Sequence, residues 1–432
     1  MAAILLVAAT ACTSCTSSSS SPAAVPLVAG VPSSLPAASA AEVAEAPRLT
    51  VAHAYDLPPG WHVDDFGAWL GGDYVAFEAV KPATGPGPQD KDARELWILR
   101  QADGSLRRIP PIDPASVIAN DDITGGWVTR LEKTPKADGQ CRRRTQAGCY
   151  SWNLYAIRAS DGARKLLAQA PHPMDQVWIP LPAAHDGTVA WQQSADDGKS
   201  FDIMQWKVDT PAPVKLTTLN AQSTVTTDNG HVYVEQSALE ADGSRHDSVI
   251  NLVEPGGVLR PVASYSGPCC ADVKNGLIAY MTGAQDGDGA ASITNSDLPT
   301  EAHLTGAAPI FKIFGIYTAQ IVDTHHLLVT SIRGDFVIDT RHPETPATIT
   351  AKTHAGNNIN ASDGLIADPV SRKGGVDTLY ILSIGPARPK ANPAQSACFN
   401  HESVNQRSVD QEAVTFTPSD PYTNPNGTIC TV

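Results

Sequence analysis

The sequence predicts an all-β chain folded as a β-propeller, seven blades fitting best and six or eight being the neighbouring counts. Three observations carry this. A short apolar strand led by Gly or a similar landmark recurs seven times. Hairpin signals follow most copies. Gly (33) and Pro (34) are abundant in a chain of 432 residues, which favours turns over long helices.

The repeated phrase reads DYVAF from Asp73, GWVTR from Gly126, GTVAW from Gly187 and GHVYV from Gly230. It continues as GLIAY from Gly276, HLLVT from His326 and GLIAD from Gly364. The mean spacing is about 48 residues, close to the period of propeller blades built as four-stranded antiparallel sheets. Each phrase is expected to be the second strand of its blade. Further strands follow as ELWILRQADGSLRRI (95–109) and NLYAIRASDGARKLL (153–167), where apolar alternation flanks the Asp-Gly of a tight hairpin. NLVEPGGVLRPV and DFVIDTRHPETPATIT fill the same slot. Meanders leave exposed edges, which a closed array of sheets shortens and protects. RLTVAHA, from Arg48 to Ala54, is the candidate closing strand for the last blade.

Four regions are expected: residues 1–11 as a lipoprotein-type signal peptide, 12–47 as a tether, 48–385 as the propeller and 386–432 as an irregular tail. Residues 2–11 form an apolar run that ends in small residues. Ala9-Thr10-Ala11-Cys12 resembles a bacterial lipobox, and that resemblance makes Cys12 the lipidation site. Residues 16–46 are rich in Ser, Ala and Pro without periodicity, as flexible linkers are. Lipid, tether and domain in that order resemble the surface lipoproteins of high-GC Gram-positive bacteria. The expected location is therefore outside the cytoplasmic membrane, lipid-anchored or secreted, with the membrane as one partner.

Beyond Cys12 and Cys15, six cysteines remain: Cys141, Cys149, Cys269, Cys270, Cys398 and Cys430. Fifteen connectivities are open to six cysteines. Locality suggests Cys141–Cys149, Cys398–Cys430 and a vicinal Cys269–Cys270, with free thiols or pairing to the tail as alternatives. An oxidising compartment is the economical reading.

The net charge of −14 argues against a nucleic-acid partner, because phosphate neutralisation needs clustered Lys and Arg. No run of about 18 apolar residues suggests a membrane span. Residues 185–217 (HDGTVAWQQSADDGKSFDIMQWKVDTPAPVKLT) resemble the repeat of TolB-type, WD-repeat-like propellers. Asp186, Gly187, Val189, Ala190, Trp191, Asp202, Ile203, Leu216 and Thr217 carry the match. The resemblance implies architecture only.

Ser194, Asp196, Gly198 and Phe201 fit the Asp-box of sialidase-type propellers, a hairpin turn in which a carboxylate holds turn amides and Gly takes positive φ. Arg142, Arg143 and Arg144 form an anion-binding candidate for phosphate or carboxylate, or else a solvated face. Asp286 and Asp288 have the spacing of the first ligands of a calcium loop, but the later ligands are missing, so a hairpin tip is the simpler reading. His325 and His326 precede a strand and point to opposite faces. No metal site and no cofactor are expected, and no Gly-x-Ser-x-Gly elbow, phosphate loop or His-Glu-x-x-His occurs. The sequence therefore points to a non-catalytic binding or scaffold module for a protein, peptide or glycan. The competing class is a carbohydrate-active hydrolase or lyase with its acidic residues in the propeller funnel.

Overall fold

The computed structural model describes residues 46–385 and the strand pair 422–423 with 429–430. Excepted are the connecting segments 84–91, 113–116, 136–149, 171–180, 240–245, 267–270, 284–287, 296–307, 351–358 and 372–376 and a few single positions. Every regular element among the described residues is a β-strand, and none of the helices sought as a membrane span is present there. The fold is an all-β propeller, built of four-stranded antiparallel meanders.

The chain divides into two compact units, one built on Ile109–Gly283 and the other on Ser33–Arg108 with Thr305–Val432. The second unit opens with β1 (Arg48–Asp56) and then a complete meander: β2 (His62–Gly71), β3 (Tyr74–Lys81), β4 (Ala93–Arg100) and β5 (Leu106–Ile109). In the first unit three complete sheets follow. They are β6 (Val117–Thr124) to β9 (Arg164–Gln169) through β7 (Trp127–Pro135) and β8 (Tyr150–Arg158); β10 (Ala183–His185) to β13 (Val214–Leu219) through β11 (Thr188–Ser194) and β12 (Phe201–Lys207); and β14 (Thr224–Asp228) to β17 (Leu259–Ser266) through β15 (His231–Leu239) and β16 (His246–Val253). The hairpin of β18 (Asp272–Lys274) and β19 (Leu277–Gly283) ends that unit.

The second unit resumes with the pair β20 (Asp288–Asn295) and β21 (Ala308–Phe314). A complete sheet follows, from β22 (Ile316–Ile321) through β23 (His326–Ser331) and β24 (Gly334–Asp339) to β25 (Ala347–Thr350). The last sheet has β26 (Asn360–Ser362), β27 (Leu365–Ser371) and β28 (Asp377–Gly385), with β1 as its fourth strand. Six complete sheets thus lie within the units, with the hairpin β18–β19 in the first and the pair β20–β21 in the second. All seven phrases, five of them opening with Gly, are second strands. The stretch RLTVAHA is indeed the closing strand, with Arg48 opposite Gly385 and Asp56 opposite Thr378.

The second strands differ from the expected alternation in one respect. Val75 to Val80 and Thr188 to Gln192 are buried without interruption, and in β11 this is because Val189 and Trp191 pack on the preceding sheet while Ala190 packs on the following one. Polar residues on these strands are therefore buried too, and they fasten one sheet to the next. Gln192 accepts the Ser223 amide (2.9 Å), and Glu235 accepts that of Ala271 (3.0 Å). In the second unit residues of other strands do the same: half-buried Gln320 on β22 accepts the Ala361 amide (2.9 Å), and Asp377 on β28 that of Val63 (3.2 Å). Each bond satisfies a main-chain donor that has left its own ladder.

Indole rings fill the thickest parts of the core. Trp61 packs on Trp97 at 5.0 Å between centroids, and Trp127 meets Trp206 edge-on at 5.6 Å. One close approach depends on glycine. At Gly257, in the turn from β16 to β17, φ is +80° and a Cβ would stand 2.6 Å from the Leu216 carbonyl. Gly257→Ala is therefore expected to destabilise the first unit by about 3 kcal/mol, combining left-handed strain with a backbone clash. Urea denaturation checks this. A midpoint equal to wild type would show that the β16–β17 turn moves freely away from β13.

Candidate functional site

The first strands of consecutive sheets lie side by side in the first unit, β6 by β10, β10 by β14 and β14 by β18. Each turns into its second strand through two residues: Gly125-Gly126, Asp186-Gly187, Asn229-Gly230 and Asn275-Gly276. All eight have positive φ, as a type I′ hairpin requires, and Asn, Asp and Gly adopt it most readily. Such a turn leaves its leading amides unpaired within the hairpin, and here the preceding sheet accepts them. Thr124 Oγ1 accepts the Gly187 amide (2.7 Å), and Asp186 Oδ2 that of Asn229 (3.2 Å). Asp228 accepts two, Asn275 on Oδ1 (2.9 Å) and Gly276 on Oδ2 (2.7 Å). The second unit repeats the device, with Asp363 Oδ2 accepting the Gly72 amide (3.3 Å).

Charge concentrates on these strand ends. His185 Nδ1 lies 3.1 Å from Asp186 Oδ2 and 3.3 Å from Asp228 Oδ1. Burial pulls the His185 imidazolium down, but the two carboxylates outweigh it and raise its pKa to about 9. His185 in turn holds Asp186 below the usual carboxylate range. Asp122 is half-buried, its Oδ2 accepting the Ala184 amide (2.7 Å) and its Oδ1 that of Ile123 (2.8 Å). Desolvation pushes its pKa up to about 6, against the pull of those amides and of Lys274 and His185. Lys274 itself pairs with Asp272 at 3.4 Å.

One imidazole and two carboxylates with ligand atoms within 4.8 Å of one another form a donor set of the kind a divalent cation uses. The lone pairs, however, are already engaged. Asp228 accepts two main-chain amides and the Asn229 side chain (3.2 Å), and Asp186 accepts the Asn229 amide. A metal would have to displace the bonds that hold three turns together. The cation that fits is the proton on His185, which offsets one of the two carboxylate charges without disturbing the amides.

In the second unit, charge gathers at the opposite sheet end. Arg94 Nη1 bridges Glu78 Oε1 (3.1 Å) and Asp64 Oδ1 (3.3 Å), and His62 Nδ1 lies 3.2 Å from Asp377 Oδ1. These pairs fasten β2, β3, β4 and β28.

The residues singled out from sequence fare differently. In the Asp-box stretch the carboxylate that holds the turn amides is Asp197, the neighbour of Asp196. Its Oδ1 accepts Lys199 and Ser200, and its Oδ2 accepts the Ser200 hydroxyl. Ser194 ends β11 and Phe201 opens β12, while Gly198 lies outside the described residues. His326 Nδ1 bonds Asp323 at 2.9 Å, and the His325 amide bonds the same carboxylate, so the pair belongs to a turn. Cys12, Arg142, Arg143, Arg144, Cys141, Cys149, Cys269, Cys270 and Cys398 lie outside the described residues, as does Asp286. The side chains of Asp288 and Cys430 do too, although Cys430 pairs through its backbone with Tyr422. The sequence reading overlooked His185, Asp186, Asp228 and Asp122. Asp186 stands just before a Gly landmark and His185 and Asp228 two before one, in HDG and DNG, while Asp122 carries no such signal.

Fold and site together define a β-propeller whose first strands carry a charged, amide-binding joint. No family model matches the chain, and no curated protein does either. Solved structures do. An oligogalacturonate lyase in complex with manganese aligns with a TM-score of 0.50 at 9% identity, over 79% of this chain and 99% of that one. The β-propeller domain of the Trilobed protease from Pyrococcus furiosus aligns at 0.46 and 11% identity, over 77% and 92%. An acylaminoacyl peptidase aligns at 0.46 and 10%, over 76% of this chain and 51% of that one. At these identities the likeness is one of fold.

Proposed function

We propose that this chain is an extracytoplasmic propeller, anchored through an acylated Cys12, that works by recognising a protein, peptide or glycan. The observation that supports this is an asymmetry between the two ends of the sheets. In a four-stranded meander, the first and third turns share one end. The second turn and the exit to the next sheet share the other. At the first end most connections are short, down to the two-residue turns already described, with the twelve residues between β20 and β21 as the exception. The other end holds most of the long ones, 82–92, 136–149, 170–182 and 351–359, beside short ones such as that between β23 and β24. Long connections carried on a rigid frame are where binding residues concentrate, and 136–149 brings Arg142, Arg143 and Arg144.

Two experiments test it. Cys12→Ala is expected to move the protein from the membrane to the soluble fraction, and unchanged fractionation would sink the anchor. Replacing 136–149 or 170–182 with a short Gly/Ser connector should abolish capture of crosslinked partners or immobilised glycans while leaving the urea midpoint in place. Undiminished capture by both replacements would refute recognition at that end.

A second reading, a carbohydrate-active hydrolase or lyase, is favoured by Asp122. A half-buried carboxyl with a pKa of about 6 beside His185 and Lys274 has the perturbed acidity that general acid–base groups show. The similarity in fold to an oligogalacturonate lyase agrees with this reading. It predicts unsaturated or reducing-end products from oligogalacturonate, lost in Asp122→Asn. Product formation at the same rate by Asp122→Asn excludes Asp122 as the catalytic group.

A further inference from the structure

Two Asn-Gly pairs occupy equivalent turns of adjacent sheets, yet their chemistry is set differently. Their backbones match closely: φ is 50° and 75° at Asn229-Gly230, and 54° and 73° at Asn275-Gly276. Asn-Gly is the dipeptide most open to intramolecular attack, because glycine puts no side chain between its own nitrogen and the preceding carboxamide. What differs is the state of that nitrogen. Gly276 is buried and its N–H donates to Asp228 at 2.7 Å, while Asn275 N–H donates to the other oxygen of the same carboxylate at 2.9 Å. Deprotonating an amide already bound to a buried anion is doubly unfavourable, since it breaks a charge-assisted bond and places two negative charges together. Asn229 is exposed and Gly230 half-buried, and no hydrogen bond from the Gly230 amide is found among the described residues. The Lys207 ammonium stands 3.8 Å from where a Cβ on Gly230 would be, and its charge favours an amide anion there.

We propose that Asn229 is a self-modification site, at which the folded chain converts asparagine to aspartate and isoaspartate without an enzyme, whereas Asn275 is protected by Asp228. The Gly230 nitrogen gives its proton to solvent base and attacks Asn229 Cγ. The new N–C bond closes a five-membered succinimide, and the Cγ–Nδ2 bond breaks with release of ammonia. Water then opens the ring at either carbonyl, giving aspartate from one side and isoaspartate from the other, with no change of oxidation state. The product alters the joint. The Asn229 side chain donates to Asp228 Oδ2 (3.2 Å) and its amide to Asp186 Oδ2 (3.2 Å). Conversion replaces the carboxamide donor with a carboxylate facing Asp228, and the isoaspartyl form also lengthens the backbone by one carbon at the point where β14 turns into β15.

The test is peptide mapping by mass spectrometry of the full chain aged at neutral pH, folded and in urea. In the folded protein Asn229 is expected to convert at least about tenfold faster than Asn275, the factor that one charge-bound amide hydrogen bond is worth. In urea the two rates should converge. Equal rates in the folded protein, or the same ratio persisting in urea, would overturn the proposal. Aged wild type should also melt below fresh protein, while Asn229→Gln treated in the same way should not. A matching loss of melting temperature in Asn229→Gln would assign the ageing to another site and count against the proposal.

Discussion

Asp228→Ala is expected to lower the free energy of unfolding by about 3–5 kcal/mol, the cost of removing one partner from a buried, charge-bearing network. Asp228 is fully buried, and its two oxygens accept the amides of Asn275 and Gly276 and face His185. Without it, two main-chain donors lose their acceptor inside the protein, and the His185 imidazolium loses one of its two carboxylates. Asp186→Ala is the informative control. Its side chain is 45% exposed, so water can replace much of what it supplies, and a loss of about 1 kcal/mol is expected. Urea denaturation of the two variants at neutral pH decides the matter. Equal losses would mean that burial of Asp228 contributes nothing special and that the joint is an ordinary surface ion pair.

The second large effect is on pH dependence. His185 has a pKa of about 9 in the folded chain against the ordinary imidazole value of 6.5, because Asp186 and Asp228 favour its charged form more than burial opposes it. A raised folded pKa means that the native state binds the proton more tightly. The stability from this group is therefore fully present below pH 6.5 and is lost as pH rises through about 9, on the order of 3 kcal/mol in all. Asp122 acts in the same direction in a lower window. Its folded pKa of about 6 lies above 3.8, so its contribution is present below pH 3.8 and is lost as pH rises through 6. Urea midpoints should fall between pH 6.5 and 9, and His185→Gln should flatten that fall while moving the Asp122 window upward, since the His185 charge holds the Asp122 pKa down. A wild-type midpoint that is level from pH 6.5 to 9 would show that His185 is neutral in the folded chain.

These expectations also bear on function. The charged groups that look most like chemistry on the first strands are bound to turn amides of the next sheet, so each substitution there perturbs stability as well as any activity. Separating the two is straightforward. A structural role moves the urea midpoint, whereas an acid–base role for Asp122 moves product formation at an unchanged midpoint.

Much of the architecture was legible in the sequence. The repeated phrases announced all seven second strands, and RLTVAHA announced the strand that β28 takes as its partner, because period-2 apolar alternation and Asn/Asp-Gly turns are local signals. The alternation did not reveal that the second strands are buried on both faces, since that depends on neighbouring sheets covering them. Nor did it identify Asp197 in place of Asp196 as the carboxylate that holds its turn, a choice made by the local backbone. The charged joint was the least legible feature. Asp122, His185, Asp186, Asp228 and Lys274 come from four strands spread over some 150 residues, and nothing local links an aspartate to an amide about 50 residues further on. The sequence by itself determined the repeat, the turns and the strand order, all set by interactions within one hairpin. Only the tertiary structure decided which carboxylates are buried, which are neutralised and which amides they hold, because desolvation and charge pairing depend on groups that meet only after the sheets have packed.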